Sequence, residues 1–266
     1  MPLEVRPLEL ADFATLIGHA DAGEPGDDLV APPCPVSWPV KTREEAQLRA
    51  RCHFTWQRQR FLEDPSVRYV KVVDTTGTST TSTDPGAGND DATAREEEES
   101  DEIVAVARWH FYPNGYDYER EKHWEMAPSK LSDSDAAAAA CDYYPPPNFN
   151  VALHNHILGF RDVFRPQWIP SDKPAWVLMH CVTRPRHRRR GAAGMLVRWG
   201  QEQAREMPGG EGGGGVAAYL EAGVQGAPVY ERSGFAGVGE ARIVDLSGFE
   251  GAPVKEFRMR NMQWLP

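Results

Sequence analysis

The sequence predicts an α/β fold, a mixed sheet flanked by helices, and three observations predict it. The chain opens on an alternating "LEVRPLEL" that gives way to "DFATLIGHA", with Phe13, Leu16 and Ile17 at helical spacing, so a strand precedes a helix. In the second half β-branched runs alternate with amphipathic segments, as in "AWVLMHCVT", "GAAGMLVRWGQEQARE" and "VAAYLEA". The 266 residues are 41% hydrophobic and 10% aromatic, enough to bury a substantial core.

Each element has a local reason. Asp12 is a candidate N-cap for the first helix. "APPCPVSWP" reads as a loop because of its prolines, and "REEAQLRARCHFTWQRQRFLED" as a long amphipathic helix ended by Pro65. "VRYVKVV" and "EIVAVARWHFY" are strands by their β-branched and aromatic content. Between them residues 75–101 are too polar to fold alone and read as a disordered acidic insertion at a hairpin tip, since a long loop there costs little closure entropy. The stretch from Pro113 to Pro147 is irregular, with the alanine run of "DAAAAACDYYPPP" stopped by prolines. "NFNVALHNHILGFRDVF" reads as a helix, "APVYERSGF" as a short helix closed by Gly234, and "ARIVDL" and "VKEFRMRNMQW" as closing strands. A single domain over 1–266 is the simplest organisation.

Composition removes several function classes. The formal charge is −10, but ten carboxylates lie between Asp74 and Glu102 against Arg95 alone, which leaves the rest of the chain near −1. Acidity therefore belongs to one segment and says nothing of a charged partner for the folded part. Cys34, Cys52, Cys141 and Cys181 are far apart without C-x-x-C spacing, so neither a zinc site nor a disulfide framework is expected. The amino terminus lacks an apolar signal core, and no run approaches the roughly 18 apolar residues of a membrane span. A cytoplasmic, or else nuclear, protein without a membrane partner is expected.

The chemistry concentrates in "RPRHRRRGAAGMLVRWG", Arg184 to Gly200, where five arginines run into a small-residue turn and a helix. Small residues at a helix start let an anion approach the free N–H groups of the first turn, and the helix dipole adds to the attraction. Ala192, Met195, Leu196 and Trp199 mark the inward face of that helix, so Arg188, Arg189 and Arg190 fall in the turn that wraps the anion. A nucleic-acid arm needs neither a buried strand leading in nor a buried helix leading out, so a nucleic-acid partner is the weaker reading, and an idle solvated loop is weaker again.

This stretch, followed by "YLEAGVQGAPVYERSGF", resembles the GNAT (N-acetyltransferase) superfamily, most of all its fungal-type members. The resemblance rests on a strand leading to Arg188-x-x-Gly191-x-Ala193, which stands for the family's Q/R-x-x-G-x-G/A turn, and on "VRPLELADFATL" as its first strand and helix. It implies a mostly antiparallel sheet and acetyl-CoA as co-substrate, without a metal. It implies further that Cys181, Val182 and Thr183 line the pantetheine arm, and that backbone N–H groups of Arg189, Arg190, Gly191, Ala192, Ala193 and Gly194 take the pyrophosphate. Arg184, Arg186 or Arg188 would meet the 3′-phosphate, and Tyr230 falls where the family places the acid that protonates the leaving thiolate. The chain departs from the pattern at Glu221-Ala222-Gly223, where fungal-type members commonly read E-A-S, and in the glycine-rich "MPGGEGGGG".

Acyl transfer to an amine needs a neutral amine, donors for the oxyanion, and a proton for the thiolate. Tyr230 supplies the proton on this reading, and a backbone N–H near Val182 the oxyanion donor. By strand alternation Val177, Met179, Cys181 and Thr183 share a face that holds no base, and His180 points the other way, so water is the expected route for the amine's proton. His110, Glu125, Tyr143 and Tyr144 are candidate substrate-side groups, and the loops Ala22 to Val40 and Tyr112 to Asn150 the expected acceptor lining. The resulting expectation is transfer of an acetyl group to a primary amine on a small molecule or peptide, by direct attack. A non-catalytic acyl-CoA sensor and an O-acyltransferase are the alternatives.

Overall fold

The computed structural model describes residues 2–18, 29–30, 33–75, 101–125, 148–208 and 214–266. Their strands are β1 (Leu3–Pro7), β2 (Val67–Asp74), β3 (Glu102–Tyr112), β4 (Ala175–Thr183), β5 (Ala218–Gly223), β6 (Ala236–Gly237), β7 (Arg242–Asp245) and β8 (Glu256–Trp264). The helices are α1 (Asp12–Gly18), α2 (Cys34–Ser37), α3 (Arg43–Glu63), α4 (Tyr118–Glu125), α5 (Val151–Phe164), α6 (Ala192–Glu206) and α7 (Ala227–Arg232). The eight strands make one sheet in the order β1-β2-β3-β4-β5-β8-β6, with β7 also on β8. Only β4 and β5 pair in parallel. This is the mixed, mostly antiparallel sheet flanked by helices that the sequence predicts.

Helices α6 and α7 cover one face, where Leu196, Val197 and Tyr230 pack with Trp109, Trp176, Leu178 and Leu220. On the other face Phe13 and Leu16 of α1 and Phe54 and Trp56 of α3 pack with Tyr69, Val73 and Val106. Helix α5 closes the far end, with Leu153 and Ile157 on Val244 and Met259. Helix α3 starts on a capping box: Thr42 Oγ1 accepts from Glu45 N–H at 3.2 Å, and the Glu45 carboxylate accepts from Thr42 N–H at 3.3 Å.

Helix α6 approaches the sheet closely because Gly200 lies on the Trp109 ring, which stacks on Trp176 at 5.5 Å. A Cβ at Gly200 would stand 2.2 Å from that ring. Gly200→Ala should therefore cost about 1–3 kcal/mol through overpacking, read as a lowered thermal midpoint. An unchanged midpoint would mean that the tryptophan pair yields without cost.

Two segments differ from the sequence reading. The proline-rich "APPCPVSWP" contains the single turn of α2, with Trp38 N–H donating to Cys34 C=O at 2.8 Å. Helix α4 stands in the stretch expected to be irregular; Asp117 caps it by accepting from Arg120 N–H at 3.0 Å. It buries Glu121 beside Trp124, so it presents no apolar stripe to read.

Strand register places Asp74 opposite Glu102, at the ends of β2 and β3 that flank residues 75–101. Most of that insertion (76–100), together with Cys141, Tyr143 and Tyr144, lies outside the described residues. No helix of the described residues is long and apolar enough to cross a membrane.

Candidate active site

Strands β4 and β5 pair only at Trp176/Ala218, Val177/Tyr219 and Leu178/Leu220, and beyond this point they part. At the parting β4 bulges. Arg108 of β3 is opposite His180 and Trp109 is opposite Leu178, which leaves Met179 as the extra residue. A bulge resets side-chain parity. Trp176, Leu178 and Cys181 accordingly face α6, while Val177 and Met179 pack with Tyr112, Tyr116 and Tyr219 on the opposite side. The expectation that Val177 and Met179 share the Cys181 face is thereby corrected; simple alternation does not hold through the bulge. His180 does point away from Cys181, with its ring against His53 and Tyr69.

On the α6 side, Arg189 (φ 64°) and Gly191 (φ 90°) both turn left-handed. The N–H groups of Arg189, Arg190, Gly191, Ala192, Ala193 and Gly194 consequently have no acceptor among the described residues; the first bonded N–H of the helix is that of Met195, to Gly191 C=O at 3.1 Å. Six donors therefore stand at the positive end of a 15-residue helix, an arrangement with the chemistry to receive an anion. The arginines divide into two groups. Arg184, which is fully buried, and Arg186 both pair with Glu102, and Arg190 pairs with Asp74 at 2.7 Å. His187 lies 3.4 Å from Glu102. Two acids at the neck of the hairpin thus shape the basic loop. Arg188 and Arg189 are exposed, whereas Arg184, expected as a candidate for the 3′-phosphate, is buried on Glu102.

Tyr230 of α7 is buried and packs in the same cluster as Cys181, near where β4 leaves β5. Gly226 leaves room for the ring, since a Cβ there would meet it at 2.8 Å. Burial, with Cys181 adding to it, holds the Tyr230 hydroxyl well above its usual range, so it keeps its proton. Burial likewise pushes the Cys181 thiol up to about 12. A thiol with that pKa is not a nucleophile, in line with its expected passive role.

Across the bulge, on the other face, Cys34, His53, Trp56, Gln57, Arg108, Trp124, Glu125, His154, Met179 and His180 line a cavity of about 50 Å³. Parts of both loops expected to receive the acceptor contribute, through Cys34 and through Trp124 and Glu125. His180 Nε2 is 3.0 Å from Leu29 C=O, and a carbonyl only accepts, so Nε2 carries the hydrogen and Nδ1 the lone pair. Nδ1 has no partner among the described residues. Glu125 accepts from Arg60 at 2.6 Å and from Arg108 at 2.5 Å, and lies 3.4 Å from Arg161. Burial alone would raise its pKa, but Arg108, Arg161 and Arg60 together hold the carboxylate well below its usual range. His110 is not at the cavity. It is fully buried and bonded to Ser66 Oγ at 2.8 Å, which makes it a core residue instead of a substrate-side group.

Two buried ion networks support this face and were not legible in the sequence. Arg60 bridges Asp64 (3.2 Å), Glu121 (2.6 Å) and Glu125 (2.6 Å). Asp64, Glu121 and His110 bring ligand-type atoms within 4.8 Å of one another, but the Arg60 guanidinium already supplies their positive charge. Arg165 holds Glu221 of β5 by two 2.6 Å bonds and reaches Met179 Sδ at 3.4 Å, tying β5 to the bulge. The spacing Arg49, His53, Gln57, Arg60 along α3 was the one available signal, a polar stripe on a buried helical face.

Burial lowers the pKa of His154 to about 4 and that of His180 to about 3, and His53 and His110 are also held well below 6.5. Their folded values lie below the unfolded one, so the unfolded chain binds more protons between the two. The stability they contribute is present above about pH 6.5 and lost as the pH falls toward 4, at up to about 1.4 kcal/mol per unit for each histidine. Thermal midpoints measured from pH 7 to 4 should fall, and His154→Gln should flatten the slope. An equal slope in the variant would remove His154 from this account.

Residues 116–235 match the model of the Acetyltransferase (GNAT) family. That span, a little under half of the chain, holds β4, the turn before α6, β5 and Tyr230, and marks a GNAT acetyltransferase domain there. No curated protein matches the chain. Among solved structures it is similar to Arabidopsis thaliana NAA60 in complex with acetyl-CoA, at 11% identity and a TM-score of 0.44 over 99% of this chain and 98% of that one. It is also similar to the Drosophila melanogaster polyamine N-acetyltransferase, at 14% identity and a TM-score of 0.47 over all of both chains. A third is the histone acetyltransferase HPA2 and related acetyltransferase from Corynebacterium glutamicum, at 16% and 0.45 over 100% of this chain and 99% of that one.

Proposed function

We propose that the protein transfers the acetyl group of acetyl-CoA to a primary amine by direct attack. The observation that carries this reading is the pair of opposed groups at the β4 bulge: buried Tyr230 packed with Cys181 on one face, and the His180 Nδ1 lone pair on the other. Acetyl-CoA enters from the α6 side. Its pyrophosphate takes the N–H groups of Arg189 to Gly194, Arg188 and Arg189 neutralise phosphate charge, and the pantetheine arm follows Cys181, Val182 and Thr183 into the gap between the strands. The thioester then lies at the bulge, with a backbone N–H near Val182 to meet the oxyanion.

The amine reaches the carbonyl from the cavity face. Its lone pair forms the C–N bond, the tetrahedral adduct passes a proton to His180 Nδ1, and the C–S bond breaks as Tyr230 protonates the sulfur. The high pKa of the tyrosine is no obstacle, because the same burial that pushes the Cys181 thiol up to about 12 makes a thiolate beside it a stronger base than in water. Engagement of Arg184, Arg186 and Arg190 by Glu102 and Asp74 counts against a nucleic-acid arm.

The test has two parts. Acetyl-CoA should raise the thermal midpoint, as any ligand of the native state must, and amine-dependent release of free CoA should follow. A rise without release from any amine would leave a sensor; no rise would remove the anion cradle at Arg189 to Gly194 as well.

A further inference from the structure

We propose that the acceptor is an aromatic amine, a primary amino group on a flat ring with no second charge. This rests on the acetyl-transfer reading and adds the substrate class. The cavity lining includes the indoles of Trp56 and Trp124, which pack on each other at 5.0 Å and tilted, so aromatic carbon is the apolar surface a ring would meet there. Its volume of about 50 Å³ is that of about four waters, room for an amino group and the near edge of a ring.

The charges of the lining are already committed. Glu125 is shared by Arg60, Arg108 and Arg161, and so offers no carboxylate to the second ammonium of a polyamine. Arg108 is held on Gln57 and Glu125 with its Nε buried, so it is fixed on the lining and not free to turn and pair with an amino acid's carboxylate. Burying either unpaired charge is costly. The polar groups that remain are neutral: His180 Nδ1, an acceptor for one N–H, the Gln57 amide nitrogen, and the buried His53 ring.

The histidine fits such a substrate. Aromatic amines are uncharged in neutral water because the ring delocalises the nitrogen lone pair, so none has to shed a proton before entering. His180, whose basicity burial has lowered, is too weak to strip an alkylammonium, yet it can accept the acidic proton of an arylamine adduct. The overall balance is arylamine plus acetyl-CoA giving the N-acetyl arylamide plus free CoA.

Purified full-length protein is assayed for CoA release with 4-methylaniline, spermidine and phenylalanine at pH 7.5, with acetyl-CoA binding measured separately by calorimetry. The expected result is kcat/KM for 4-methylaniline roughly a hundredfold above either charged amine. Trp124→Leu should raise the KM for 4-methylaniline about tenfold while acetyl-CoA affinity stays unchanged. Faster turnover of spermidine or phenylalanine would overturn the aromatic class and keep the transferase reading. Acetyl-CoA binding without release from any of the three would likewise overturn the aromatic class. Should the Trp124 variant fail to fold, the comparison of the three amines on the native protein still decides.

Discussion

Gly191→Asp is expected to abolish acetyl-CoA binding, with affinity falling at least about a hundredfold (roughly 2.7 kcal/mol), while the protein stays folded. The fold should survive because a Cβ at Gly191 meets nothing within 4 Å. Asp also tolerates a left-handed backbone better than most residues, so the φ of 90° costs about 1 kcal/mol. Binding should not survive. The new carboxylate stands at the mouth of the six N–H donors of Arg189 to Gly194, where it accepts the bonds meant for the pyrophosphate and repels a dianion. Calorimetric titration of folded mutant decides the matter, with Gly191→Ala as the control for backbone strain alone. Wild-type affinity in the Asp variant would remove the cradle from the binding site.

The half of the site proposed to hold acetyl-CoA was legible in the sequence because it is built from local signals. A buried strand, a small-residue turn and an amphipathic helix each show in composition and period, and Tyr230 follows them in the order that carries the resemblance. The acceptor half was not legible, for two physical reasons. First, the bulge at Met179 shifts parity in mid-strand, and the residues themselves do not announce it: "LMHCVT" reads as an unbroken run. Second, the cavity rests on buried charges whose partners are far apart in sequence, such as Arg60 with Glu121 and Arg165 with Glu221. A pattern search counts these residues as surface, since a charged side chain is ordinarily buried only when paired, and pairing is a property of the folded chain. The fold was more legible than the site for the same reason. Apolar periodicity marked β4, α6 and β5, whereas α4 was missed because it turns a carboxylate inward.

Tyr230→Phe is expected to lower turnover by roughly a hundredfold while acetyl-CoA affinity and thermal midpoint barely move. The ring is buried, packed beside Phe235 at 6.2 Å, and phenylalanine fills the same space. What is lost is one hydroxyl packed in the same cluster as the Cys181 thiol, itself only a weak acceptor, so the ground state loses little. The transition state loses more. As the C–S bond breaks, charge collects on a sulfur in a site where burial already pushes the Cys181 thiol up to about 12, and without a proton donor that charge has to be carried in an apolar surround. A purely structural tyrosine gives a different pattern: Phe would be silent in every measurement, and only Tyr230→Ala would tell, by about 3–5 kcal/mol of stability. The two roles therefore separate on one variant, measured in kcat at saturating substrate, with 4-methylaniline as the acceptor and under conditions where chemistry limits the rate. Full turnover by the Phe enzyme would leave Tyr230 a core ring and return the protonation of the thiolate to water.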